Sequence, residues 1–533
     1  MILEENTKMK KRLLLTSLFL GIAFDFLFWK KAPGISFSIF IALCLAAGYL
    51  LLRSQNLHPA RKSLYLLVPI IFFSVMTFIC QDPFTLFLNF ALTLLSMAVL
   101  VVTYQSGLWA AYSLSDYVAN IFLLIGSMVT LPWTQTTKII PQQKASIRKG
   151  HKNDIWPIIR GFLLAIPVLL VFTALFSSAD LIFAQRLNDF LSNLNLEKLT
   201  EYVFRGSYIL IITYSLVGIF RHAESRSQNK KLIGIDKPVV APFLGFTEAS
   251  IILGSVLLLF AAFVAIQFQY FFFGQTNITQ AGFTYSEYAR RGFGELVAVA
   301  VFSLILLQSL SAITKRELNK QRKSFSGLVI GLVILVVIIL VSSFQRLTLY
   351  ESAYGFSRLR AYSHVFMIWL GILLVAVVAI EVFKRKRYFA NAALLVLMGF
   401  TVSLNLLNVD AFIARQNINR VVQGKELDIS YLSTLTGDAV PTLVKMYSST
   451  NLPSKTRDGI GAALVCYKVL NETDGSQPQS WQSFHYSDWN AACELNKVQE
   501  SLKSYQVQED DWLIIVISPD GTEYPCQDNL FFD

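Results

Sequence analysis

The chain has 533 residues, 54% of them hydrophobic and only 15% charged, with 46 Lys and Arg against 35 Asp and Glu and a formal net charge of +11. A soluble domain carries about a quarter charged residues, so a single water-soluble fold is excluded. The positive excess is spread through short loops between apolar runs, which excludes a nucleic-acid-binding patch and matches the charge bias of loops on the inner side of a membrane.

The basic stretch 8–12 followed by the apolar stretch 13–29 has the look of a signal peptide. No small-residue cleavage site follows it, so it reads as a retained first span. Further runs of spanning length occupy 35–52, 64–80, 84–103, 155–178, 201–220, 247–273, 292–314, 324–345, 361–383 and 388–408. None alternates as a barrel strand does. The expectation is an all-α polytopic membrane protein with about 11 transmembrane helices over residues 1–408.

Loop charge then sets orientation. Arg53, Arg61 and Lys62; Lys138 to Lys152; Arg221 to Lys237; Lys315 to Lys323; and Lys384 to Arg387 all fall on one side if the N-terminus is cytoplasmic and the C-terminus extracytoplasmic. The stretch 117–131 is apolar enough to cross, but counting it would put the basic loop 138–152 outside. It is therefore expected to be re-entrant or interfacial. Phe183, Leu187, Phe190, Leu191 and Leu194 recur at helical spacing and read as an amphipathic helix, either on the outer surface or covering the bundle mouth.

From residue 409 to 533 the composition becomes mixed, with helical periodicity over 428–444, 458–470 and 486–505. Residues 512–517, the turn Pro519-Asp520-Gly521 and residues 522–526 read as strand, turn, strand. The C-terminal domain is thus expected to be soluble, small, mostly helical and extracytoplasmic, ending in a short β-hairpin. It holds Cys466, Cys493 and Cys526, of which an oxidising compartment would leave one unpaired. The other cysteines, Cys44 and Cys80, lie in apolar runs.

Under this topology four polar clusters share the outer face. The first is Ser177-Ser178-Ala179-Asp180, where Asp180 suits a helix cap. In the second, Glu287, Arg291 and Glu295 fall four apart beside Arg290 and can pair with one another. The third places Glu351, Tyr354, Arg358 and Arg360 just before a span, where a guanidinium can hold a phosphate or carboxylate through two N–H groups. The fourth begins with Asp410 as an expected cap and carries Arg415, Asn417 and Arg420. Asp25 and Arg205 sit near the outer ends of their spans, whereas Arg160 near an inner end reads as snorkelling.

No P-loop, His-Glu-x-x-His or Gly-x-Ser-x-Gly motif occurs, and the five histidines are scattered without metal-ligand spacing. No metal site, cofactor or catalytic residue is assigned, and few ionisable residues occupy the middle of the spans.

The second, third and fourth clusters, together with Asp-Ile-Ser-Tyr-Leu-Ser-Thr-Leu-Thr-Gly-Asp-Ala-Val-Pro-Thr-Leu over 428–443, resemble bacterial membrane proteins of the domain-of-unknown-function families 4153 and 4173. The resemblance covers residues 60–445 or so, and Val409 stands where that family usually has Pro. It implies a multi-pass bacterial plasma-membrane protein of undefined activity and supplies no catalytic residues.

Two explanations of the shared face remain open. In one, ion pairs and aromatic anchors simply tie helix ends together. Alternatively Arg290, Arg291, Glu351, Tyr354, Arg358, Arg360, Asp410, Arg415 and Asn417 form a site for an anionic ligand, a lipid headgroup or a partner protein. Besides the lipid bilayer no partner is named by the sequence. A membrane-embedded transferase using Asp25, Glu287 or Glu351 as acid or base, and a secondary transporter, are the competing functions.

Overall fold

Hydrocarbon offers the backbone no hydrogen-bonding partner, so an apolar run crossing it must satisfy its own N–H and C=O groups as a helix. The computed structural model follows that rule. It describes residues 2–143, 196–233, 241–272, 293–421, 423–449, 452–473, 480–510 and 513–526, together with a few positions between 165 and 186.

The helices of the bundle are α1 (Ile2–Phe28), α2 (Ile35–Arg53), α3 (Arg61–Leu64), α4 (Leu67–Ile79), α5 (Pro83–Thr103), α6 (Leu114–Gln143), α7 (Leu196–Ser225), α8 (Phe246–Phe272), α9 (Phe293–Ile313), α10 (Asn319–Tyr354), α11 (Arg358–Val382) and α12 (Phe389–Leu407). Among the described residues ten helical segments are long and apolar enough to cross a membrane. Nine of them coincide with expected spans from 35–52 to 388–408, and the tenth is Leu114–Pro132. The stretch 117–131, expected to be re-entrant or interfacial, therefore continues unbroken through α6. The expectation rested on the parity of basic loops and not on the segment's own composition, which is that of its neighbours. Of the expected first span 13–29, residues 13–28 are helical within α1. Span 155–178, Arg160 and most of the amphipathic stretch lie outside the described residues.

The chain forms two compact units, Met1–Trp29 with Leu43–Leu57 and Phe122–Arg226, and Lys30–Ala42 with His58–Ile121 and Ser227–Asp533. In the first unit α1 packs along α7. Asp25, expected near an outer span end, is buried and receives two N–H groups of Arg205 and the hydroxyl of Tyr208 at 2.9 Å.

In the second unit, α8, α9, α10 and α11 share one core around Phe325, Leu332, Val336 and Leu374. The α5–α12 seam carries a polar pair instead. Asn89 and Asn405, both buried, exchange amide hydrogen bonds of 2.9 and 2.8 Å. At one end of this unit the backbone N–H of Ala60 bonds Tyr104, that of Ser106 bonds Ser227, and Arg387 reaches both Ala111 and Asp116 at 2.6 Å. Arg316 meets Glu381 at the same end of α11. Lys62, Lys230, Lys315 and Lys384 belong to these loops, so one end of the unit is strongly basic.

The opposite end carries the C-terminal part. Here α13 (Val409–Val421), α14 (Ile429–Ser433), α15 (Val440–Tyr447), α16 (Ser454–Thr473) and α17 (Tyr486–Leu502) precede strands β1 (Gln506–Asp510), β2 (Leu513–Ile517) and β3 (Glu523–Cys526). The sheet is antiparallel in the order β1-β2-β3. The expected hairpin is β2–β3; β1 adds a strand that its polar sequence Gln-Val-Gln-Glu-Asp did not announce. A disulfide joins Cys466 of α16 to Cys526 of β3, leaving Cys493 exposed. The core of this part takes in Leu88, Ala361, Phe400 and Leu404 from the spans alongside Ile413, Leu432, Ile460 and Val516.

Candidate functional site

The end of the second unit that carries the C-terminal part gathers the third and fourth sequence clusters. Gly355 terminates α10 with φ +89°, a left-handed conformation that an L side chain would strain. Space forbids a side chain as well: a methyl group built there would fall 2.6 Å from Nη1 of Arg420 and 2.8 Å from Oδ1 of Asn417. The chain turns at once into α11, and Arg358 is its first residue.

Arg358 donates through Nε to Asp410 Oδ1 at 2.8 Å and through Nη2 to Asp410 Oδ2 at 2.7 Å, a fork-to-fork geometry. The same Nη2 reaches the carbonyl of Thr434 at 3.0 Å, and the backbone N–H donates to the Tyr431 hydroxyl at 2.9 Å. Asp410 is fully buried, and its Oδ2 also accepts from the N–H and hydroxyl of Thr436 at 2.8 and 2.7 Å. Asp410 was expected to cap α13. It lies instead inside the first turn of that helix, after Asn408, and spends its carboxylate across the junction.

Two further carboxylates border the pair. Asp82 caps α5, accepting from the Thr85 N–H at 2.9 Å, receives the Tyr362 hydroxyl, and stands 3.8 Å from Arg358 Nε. Burial, and then the charge of Asp410, push its pKa up. Asp438 accepts from the Gln81 N–H at 2.7 Å, and burial raises its pKa to about 6. One guanidinium thus stands beside two buried carboxylates, Asp410 and Asp82, with Asp410 acting on Asp438 through its charge. Only Asp410 is held by it as a bidentate pair; the other two are biased toward their protonated forms.

The remaining candidates also find partners here. Asn417 accepts the Phe356 N–H at 2.7 Å and donates to the Phe356 carbonyl at 2.9 Å, imitating a strand neighbour. Arg360 donates to the Gly355 carbonyl, and its guanidinium lies 4.3 Å over the Tyr350 ring. Arg420 donates to the carbonyls of Ser352 and Ala353 at 3.0 and 3.1 Å. Buried Glu351 meets His364 Nδ1 at 3.0 Å. Tyr354, its ring tilted against that of Tyr350 at 4.9 Å between centroids, and Arg415 are exposed.

Arg290, Arg291 and Glu287 lie outside the described residues. Asp180, of the first cluster, accepts from the Ile182 N–H at 2.8 Å, as a cap does. Sequence reasoning missed Asp82, Tyr362, Thr436 and Asp438. An Asp directly before a Pro that opens an apolar run was a legible cap signal for Asp82; nothing local marked the others as its neighbours. A cavity of about 20 Å³ lies at the basic end beside Ser311, Gln308 and Glu381, room for a single water. Among the described residues no group of three or more His, Cys, Asp or Glu is placed to hold a metal ion.

No curated protein matches the chain. No solved structure matches it either. A family model does, over residues 67–446, which takes in the bundle from α4 onward, the Arg358–Asp410 junction and the helices to α15, and ends before the disulfide. Of the two families named by the sequence resemblance only one is matched: the chain belongs to DUF4153, a family defined by a domain of unknown function.

Proposed function

We propose that the chain is a non-enzymatic protein of the bacterial plasma membrane that recognises an anionic headgroup or a partner at the face bearing its C-terminal part, with the N-terminus cytoplasmic and that face extracytoplasmic. The carrying observation is the fork-to-fork pair of Arg358 with Asp410. An anion reaching Arg358 would have to displace a buried carboxylate, so Arg358, Arg360, Asp410 and Asn417 are the framework. Recognition falls to the groups that stay exposed at the same junction, Tyr354 and Arg415. Arg290 and Arg291 belong to the candidate set on sequence grounds alone.

Two features support the orientation. Basic loops collect at the end of the unit opposite the C-terminal part, as the positive-inside bias requires. The Cys466–Cys526 disulfide suits an oxidising compartment. Of the carboxylates a transferase would employ, Glu351 and Asp25 are engaged by His364 and by Arg205, and Glu287 lies outside the described residues.

Cys493, the one exposed cysteine of five, tests the orientation without any substitution. A membrane-impermeant maleimide is expected to label it in intact cells; labelling only after permeabilisation reverses the assignment. Recognition is tested in nanodiscs of phosphatidylcholine with and without phosphatidylglycerol. The anionic lipid is expected to raise the thermal midpoint, and Arg415→Ala to remove the rise; equal midpoints in both lipids refute headgroup recognition.

A further inference from the structure

The apolar surface of the C-terminal part is distributed unevenly. Among its described residues the exposed large apolar side chains are Trp481 at 55%, Tyr486 at 44%, Trp489 at 52% and Val507 at 40%. Three of these four fall within nine residues, on the turn that leads into α17 and the first turn of that helix. The rest of α17 behaves as an ordinary soluble helix, burying Ala491, Leu495, Val498 and Leu502 while polar residues face out.

The depth of that turn is fixed by its backbone. The N–H of Ile35, the first residue of α2, donates to the Phe484 carbonyl at 3.1 Å, and His485 Nε2 lies 3.0 Å from the Pro33 carbonyl. The two strands of chain approach so closely that a methyl group on Gly34 would fall 2.6 Å from the Phe484 oxygen. Ile35 also opens the apolar segment Ile35–Arg53, long enough to cross a membrane. The turn is therefore tied to the level at which the chain enters hydrocarbon.

Trp and Tyr are the residues enriched at that level, because their rings are apolar at one end and hydrogen-bonding at the other. We propose that Trp481, Tyr486 and Trp489 form an interfacial anchor, their rings set among the lipid headgroups of the leaflet that faces the C-terminal part. Buried Gln482 and Ser487 hold the turn from within, and the Tyr486 and Trp489 rings touch at 5.7 Å between centroids. The anchor is thus preformed and does not order on contact. Its occupant is the bilayer rather than a protein, since the turn is hydrogen-bonded to the residue that opens a segment of spanning length. This holds whichever compartment that face occupies.

The test uses the full chain in phosphatidylcholine vesicles whose acyl chains carry bromine at a shallow or a deep position. The contribution of Trp481 and Trp489 is the difference between the parent and Trp481→Phe/Trp489→Phe, substitutions that keep a ring at both sites. That difference signal is expected to lose more than half its intensity with shallow bromine, less with deep bromine, and little with aqueous acrylamide. Quenching by acrylamide with no effect of brominated lipid overturns the proposal, and so does protection from both, which would mean that protein covers the rings. Should the double variant misfold, the unaltered chain supplies a second reading. A bimane on native Cys493, one helical turn beyond Trp489, is expected to be quenched more by a headgroup nitroxide than by a soluble one. The reverse order sinks the anchor.

Discussion

Removing the Arg358 guanidinium should weaken the junction more than removing both members of its ion pair. In Arg358→Met, Asp410 loses two charge-assisted hydrogen bonds and the Thr434 carbonyl loses one, while Asp410 stays fully buried with only Thr436 to bond it. Breaking a buried pair from one side costs about 3–5 kcal/mol, whereas replacing both partners with apolar groups is often close to neutral. Arg358→Met/Asp410→Leu leaves the Thr436 N–H and hydroxyl without their acceptor, a cost of about 1–3 kcal/mol. The order of stability is therefore parent, double variant, single variant. Cys44 and Cys80 are buried, so a thiol-reactive fluorophore in a Cys493→Ser background reports unfolding in detergent as these two react. The single variant should lower the midpoint by on the order of 5–10 °C, and the double variant by clearly less. If the single variant shifts the midpoint by less than about 2 °C, or if the double variant is the worse of the two, Arg358 does not brace this junction.

Asp438 gives the junction a pH dependence of defined sign. Burial raises its pKa to about 6, above the ordinary carboxylate range, so the folded state holds the proton more tightly. The stabilisation is complete below about pH 4 and is lost as pH rises through about 6, on the order of 3 kcal/mol if the whole shift is realised. Asp438→Asn should flatten the midpoint between pH 4 and 7; an unchanged slope would assign the effect elsewhere. In Asn417→Leu both backbone groups of Phe356 lose their partner, which should cost about 2–4 kcal/mol in the same assay. Cys466→Ser opens a bridge between residues 60 apart, which should destabilise the C-terminal part by about 4 kcal/mol and speed its proteolysis while the bundle stays resistant. Equal protease resistance with and without reductant would refute that contribution.

Spans were the easiest elements to read, because a bilayer enforces length and composition on every segment that crosses it. Residues 114–132 show where two sequence signals conflict: the segment's length and hydropathy are those of a span, while the parity of the basic loops counts against a crossing. The junction was half legible. Arg358, Arg360, Asp410 and Asn417 stood out as polar groups at span ends; Arg358 and Asp410 pair, and Arg360 and Asn417 bond the turn between α10 and α11. Their partners were invisible for a physical reason: Asp82 lies 276 residues from Arg358, and Thr436 presents a backbone N–H that no side-chain pattern encodes. Of the two explanations left open, ion pairing between span ends describes Arg358, whose partner Asp410 the chain supplies itself. Strand β1 was missed because an edge strand needs a partner, here β2, more than an apolar face of its own.

The reciprocal amides of Asn89 and Asn405 act as a key between α5 and α12. Sliding one helix past the other by a single turn would strand the amide groups of both side chains in hydrocarbon, at several kcal/mol for each polar group left alone. Rotation about either axis is blocked in the same way, since each Asn serves as donor and acceptor to the other. The two helices must travel as one piece. Because α5 opens at Asp82 and α12 leads into the helix of Asp410, that rigid couple holds both carboxylates at a fixed spacing beside Arg358.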